Sequence, residues 1–154
     1  MESILVTGGA GYIGSHTCLD FLEKGYCLIV IDSNINSSTQ SLKQIIKIGN
    51  LVGQDFKERI FFVRGDIRNE KLLNDIFIKA EKTNKKVYSV IHFAGLKSIS
   101  DSVQDPLSYW DNNLIGAINL LKTMKKHDCK NIVFSSSATV YQNAKISITE
   151  KMEK

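Results

Sequence analysis

Short apolar runs alternate along this chain with longer stretches whose apolar residues recur every three or four positions. The apolar runs fall at residues 3–7, 27–31, 60–63, 87–93 and 132–134. Each is short, rich in β-branched or aromatic residues and bounded by turn formers, which predicts a strand. The stretches between them predict helices. The first runs from about Tyr12 to Lys24, with Cys18, Phe21 and Leu22 on one face and Gly25 as its stop. The second carries Leu42, Ile45 and Ile46 and ends in a loop marked by Gly49 and Gly53. The third starts near Asn69 and repeats Leu72, Leu73, Ile76, Phe77 and Ala80. The fourth reads as one long helix capped by Asp105, with Pro106 in its first turn. Its stripe is Leu107, Trp110, Leu114, Ala117, Ile118, Leu121 and Met124, with lysines and His127 in the last turn.

Strands that alternate with helices imply right-handed crossovers and a parallel sheet covered on both faces. The fold class is therefore α/β, a Rossmann-like, doubly wound parallel sheet of order 3-2-1-4-5. In such sheets ligands lie outside the C-terminal strand ends, at the switch between strands one and four.

The first strand–helix junction is Thr7-Gly8-Gly9-Ala10-Gly11-Tyr12-Ile13-Gly14. Gly8, Gly11 and Gly14 allow a tight turn, a close approach of backbone to a pyrophosphate, and close packing of the new helix on its strand. The helix N-terminus offers N–H groups to the anion. No Gly-Lys-Ser/Thr follows, so this is not a Walker-type loop. Asp32 ends the second strand at the distance where a dinucleotide site places a ribose-binding carboxylate. Such a carboxylate favours NAD and repels the extra phosphate of NADP. A cap for the loop Ser33 to Ser37 is the other reading of Asp32. Asp66, after strand three, either accepts from an adenine amino group or simply ends its strand. Phe93-Ala94-Gly95 and Ser135-Ser136-Ser137 fall at the ends of strands four and five. His92 reads as a packed strand residue, and His16 and His127 lack the clustered partners of a metal site.

Composition narrows the class. The 154 residues are 43% hydrophobic and 23% charged, enough apolar content for one packed domain. The net charge of +4 comes from scattered lysines, without the basic, aromatic-interleaved stripe of a nucleic-acid binder. No apolar run reaches membrane-spanning length. Cys18, Cys27 and Cys129 form no CxxC pair; an odd count without a signal peptide leads us to expect a cytoplasmic protein.

These residues together resemble the UDP-glucose 4-epimerases, extended short-chain dehydrogenases/reductases. The resemblance runs from Ile4 to about Tyr141. It is carried by Val6 to Thr17, Gly65-Asp66-Ile67-Arg68-Asn69, Ile91 to Lys97, Tyr109-Trp110-Asp111-Asn112-Asn113 and Ser135 to Tyr141. It implies tightly held NAD that takes hydride from C4 of a UDP-hexose and returns it to the opposite face after the 4-keto sugar turns over. By the same resemblance the cofactor residues are Gly8, Gly11, Tyr12, Ile13, Gly14, Asp32, Ser33, Asn34, Ile35, Asn36, Ser37, Asp66, Ile67, Phe93, Ala94, Gly95, Leu96, Lys97 and Asn112. Lys97 and Asn112 would lie on the nicotinamide side, and Ser137 would be catalytic, hydrogen-bonding the reacting C4 oxygen.

Tyr141 and Lys145 spell a YxxxK, but they follow strand five too closely to be the family's catalytic pair. The expectation is an incomplete NAD-binding domain over residues 1–154, cut after strand five and before the catalytic tyrosine and the UDP-sugar domain, and inactive alone. The resemblance implies a homodimer for the full-length family. A non-catalytic NAD-binding module and a related nucleotide-sugar epimerase or dehydratase are the alternatives.

Overall fold

The computed structural model describes residues 2–137. It contains a five-stranded parallel sheet of order β3-β2-β1-β4-β5, as the alternation of runs predicts. The strands are β1 (Ser3–Thr7), β2 (Cys27–Asp32), β3 (Ile60–Arg64), β4 (Val87–His92) and β5 (Asn131–Phe134). The helices α1 (Tyr12–Glu23) and α2 (Gln40–Leu51) connect the first three strands, and α3 (Glu70–Lys82) leads into β4. Between β4 and β5 lie α4 (Ile99–Gln104), α5 (Pro106–Tyr109), a π-helical segment (Trp110–Ile115) and α6 (Gly116–Lys126).

Strand side chains alternate between two cores, the signature of period two. Leu5, Ile29, Ile31 and Val90 face Leu73, Ile76, Phe77, Leu120 and Met124 from α3 and α6. Val6, Leu28 and Val30 face Cys18, Leu22, Leu42, Ile45 and Phe56. β1 and β2 are buried throughout, because helices cover both faces of the sheet. The helix ends follow local chemistry. The Asn69 side chain caps α3 by accepting from the Leu72 N–H, Glu70 sits in its first turn, and Lys79 and Lys82 in its last. Gly25, at φ +90°, lets the chain leave α1 in the left-handed region.

Three expectations need correction. Gly49 does not mark the loop; it is buried inside α2, where an added Cβ would meet the Phe56 ring at 2.6 Å. Its small size admits the ring, and only Gly53 belongs to the turn. The long fourth helix is interrupted by the π segment, whose extra backbone per turn rotates every later side chain relative to a 3.6-residue period. Leu107, Trp110, Leu114 and Leu121 are exposed, and after the π segment the buried face is Gly116, Leu120, Thr123 and Met124. The short helix α4 carries no apolar stripe that predicts it. β4 also ends at His92, one residue earlier than its apolar run.

Phe56 is fully buried, and the Arg59 guanidinium lies 5.3 Å from its ring centre. Arg59 also donates to the Leu22 carbonyl at 2.7 Å, tying the loop before β3 to the end of α1. Phe56→Ala is expected to destabilise the chain by about 3–5 kcal/mol, seen as a lower urea midpoint.

Candidate functional site

The C-terminal ends of β1, β2, β3 and β4 surround a cleft of about 320 Å³. Its floor is the glycine turn. Gly8 adopts φ +69°, and a Cβ there would lie 2.7 Å from the Ala94 nitrogen. A Cβ on Gly14 would lie 2.3 Å from the Gly8 carbonyl oxygen. Lacking both side chains, the turn packs between the end of β4 and the start of α1. Gly9 is required as well, since its Cβ would strike Val30 at 2.7 Å; the spacing of the three motif glycines gave no sign of it. Gly11 is the N-cap of α1 and contributes no capping side chain, and no acidic residue occupies the first turn. The positive end of the helix therefore faces the cleft. A Cβ on Gly11 would touch only the Gly8 oxygen, at 3.3 Å, so glycine here leaves the cradle open.

Asp32 stands beside this turn and is buried. Its Oδ2 accepts from the Ala10 N–H at 2.9 Å. Its Oδ1 accepts from the Asn34 N–H at 2.9 Å and from the Ser37 hydroxyl at 2.7 Å. Asp32 thus caps its own loop, and a carboxylate with about four acceptor positions keeps capacity for another donor. Asn34, at φ +57°, donates from Nδ2 to Ser37 Oγ at 3.1 Å. It supports this loop and is not among the cleft-lining residues.

The opposite wall comes from the residues after β4. Leu96 donates its N–H to Asn113 Oδ1 at 2.7 Å, and Asn113 Nδ2 donates to the Leu96 carbonyl at 3.0 Å. One amide side chain thus fixes both polar groups of Leu96, a role the sequence reading did not assign. Asn112, its neighbour in the π segment, lines the cleft. Asp66 is held by Arg68, whose guanidinium hydrogen-bonds both carboxylate oxygens. That pairing keeps the Asp66 carboxyl below the usual carboxylate range, so it is anionic at neutral pH.

All the expected cofactor residues except Asn34 line the cleft, and Ile31 and Gly65 join them. Ser137 is exposed beyond β5 and does not line it. Tyr141 and Lys145 lie outside the described residues. Among the described residues no group of His, Cys, Asp or Glu is arranged to hold a metal. No helix among them is long and apolar enough to cross a membrane.

A model of the GDP-mannose 4,6 dehydratase family matches residues 5–153. The chain belongs to the GDP-mannose 4,6 dehydratase family. Relatives that carry the UDP-glucose 4-epimerase name stand near it, as the motifs indicated. It is 48% identical over 140 residues to UDP-glucose 4-epimerase 2 of Arabidopsis thaliana, covering 91% of this chain and 37% of the relative. The structure of UDP-glucose 4-epimerase from Bifidobacterium longum, in complex with NAD+ and UDP, superposes with a TM-score of 0.82 at 43% identity. That match covers 97% of this chain and 42% of the other. UDP-glucose 4-epimerase from Stenotrophomonas maltophila, with bound NAD and formylated UDP-arabinopyranose, gives a TM-score of 0.81 at 36% identity, covering 98% and 42%. The chain thus spans less than half the length of these relatives.

His92 lies at the back of this region, as the packed strand residue expected. The Thr7 hydroxyl and His92 Nδ1 are 2.6 Å apart, and Thr7 Oγ1 also accepts from the Ala94 N–H at 3.3 Å. A neutral His92 ring pairs with the Thr7 hydroxyl, and which of the two donates follows the ring's tautomer. Burial lowers the His92 pKa to about 4. The unfolded chain, with its ordinary histidine value, takes up the proton first on acidification. Stability is thus fully present above about pH 6.5 and lost as pH falls toward 4. Moving from about pH 7.5 to about pH 5 is expected to remove about 2 kcal/mol of unfolding free energy. In His92→Gln that loss should shrink to the smaller one from His127, whose pKa burial also lowers. Urea unfolding at the two pH values checks both.

Proposed function

We propose that the cleft binds NAD and that this chain is the cofactor-binding part of an enzyme that epimerises C4 of a UDP-hexose. The observation that carries the reading is the pairing of an uncapped α1 N-terminus with Asp32 on one glycine turn, joined through the Ala10 N–H. Two groups with different tasks stand side by side: a cradle for a pyrophosphate and a carboxylate for a ribose. Epimerases with this fold have been crystallised with NAD, and a relative 48% identical carries the UDP-glucose 4-epimerase name.

NAD supplies hydride transfer to and from a sugar carbon when bound. The residues of this chain hold it. Gly11, Tyr12, Ile13 and Gly14 present backbone to the pyrophosphate. Asp32, with Ser33, Ile35, Asn36 and Ser37 around it, accepts from the adenine-side ribose hydroxyls and disfavours a 2′-phosphate. Asp66 and Ile67 flank the adenine. Phe93 to Lys97 and Asn112 form the nicotinamide side, with the Lys97 cation and the Asn112 amide as the polar groups there. Asn34 acts through the Ser33–Ser37 loop, and Ser137 is assigned to the reacting C4 oxygen of the sugar. The exposed apolar side chains Leu107, Trp110 and Leu114 are the surface we assign to pairing of two copies of the whole protein.

Thermal melting of the 154-residue chain tests the cofactor assignment. Excess NAD is expected to raise the Tm, by about 2.7 kcal/mol of added stability at a hundredfold excess over Kd, and NADP to leave it unchanged. Equal shifts with both nucleotides, or none in a cooperative melt, would reject it. The same chain is expected to convert no UDP-galactose, and turnover at an ordinary enzymatic rate would show that these residues suffice for the reaction.

A further inference from the structure

Two walls of the cleft, the segment after β3 and the segment after β4, are joined through the π-helical segment Trp110–Ile115. On the β3 side, Arg68 pairs with Asp66 and reaches Asp111 at the start of the π segment. The Arg68 carbonyl accepts from Asn119 Nδ2 at 2.9 Å. Gly116, directly after the π segment, has no Cβ because Ile67 occupies its space: an added Cβ would meet Ile67 at 2.7 Å. On the β4 side, Asn113 holds both polar backbone groups of Leu96. Asn112, between these contacts, lines the cleft. A π-helix is rare and sits above the α-helix in energy, so such a segment persists where tertiary contacts hold it. Relaxation toward α-helix would turn Asn112 and Asn113 away from their present directions.

We propose that Arg68 and Asp111 are positioning residues, whose ion pair sets the π segment so that Asn113 and Asn112 shape the nicotinamide end of the cleft. The proposal rests on the NAD reading for its ligand but not for its geometry. The pair is partly exposed, 37% for Arg68 and 53% for Asp111, so its effect is modest. Asp66 keeps its own bonds to Arg68 when Asp111 is lost. The adenine end is therefore spared, and the consequence falls on one end of the cleft only.

The test uses the 154-residue chain, its Asp111→Ala variant and its Asp111→Glu variant, with two measurements. In amide hydrogen exchange, Asp111→Ala should speed exchange at Leu96 by about three- to fivefold. Exchange at Ala10, whose N–H is bonded to Asp32, should not change. In calorimetric titration, the same variant should weaken NAD by a similar factor and leave ADP, which carries only the adenine end, within error of wild type. Asp111→Glu should recover both. Unchanged exchange at Leu96, or equal weakening of NAD and ADP, would overturn the proposal. A wild-type chain that binds neither nucleotide would overturn the cofactor reading and this proposal's ligand, while exchange at Leu96 still decides the brace.

Discussion

The structure depends on a backbone crossing where no side chain fits. Gly8 sits against the backbone of Phe93 and Ala94, Gly14 against the carbonyl of Gly8, and Gly9 against Val30. These contacts bring the N-terminus of α1 down between the ends of β1 and β4. Adding a methyl group at Gly8 or Gly14 requires the β4 loop to move or the helix to lift, and at Gly9 it requires the Val30 side chain to give way. The cleft exists because that approach is so close. Its electrostatic character follows, since the helix end it exposes is uncapped and positive.

The remaining polar groups around the cleft are arranged so that each wall is held by a group from elsewhere in the chain. Asp32 is tied to the glycine turn by the Ala10 N–H and to its own loop by Asn34 and Ser37. Leu96 is tied to Asn113. Asp66 is tied to Arg68, and Arg68 to Asp111. Ser41 on α2 donates to the Ala10 carbonyl at 2.9 Å, which secures the other polar group of that residue. The result is a site whose Asp32, Asp66 and Leu96 are held in place before any ligand binds.

Some of this was legible along the chain and some was not, for reasons that differ by residue. The glycine turn and Asp32 declare themselves because their spacing is local and set by strand, turn and helix lengths. β1 and β2 declare themselves because both faces are buried, which leaves continuous apolar runs. The stripe Leu107, Trp110, Leu114, Leu121 misleads: its spacing is helical, yet these residues are exposed, and the face buried after the π segment is Gly116, Leu120, Thr123 and Met124. Asn113 stood inside a recognised motif, but its bond to Leu96 spans seventeen residues, which no periodicity encodes. Gly49 read as a loop marker because a glycine near a helix end looks like a stop; its real cause is Phe56 packing from beyond the turn.

The amino-acid sequence by itself determined the alternation of elements, the parallel sheet and its order, and the cluster of glycines and carboxylates at the strand ends. Each follows from steric and hydrophobic rules that act over a few residues. Tertiary structure alone decided which face of the last helices is buried, which asparagine holds the β4 loop, and which cation reaches Asp111. Those outcomes depend on contacts between segments far apart in the chain, and such contacts form only after the sheet has brought the strand ends together.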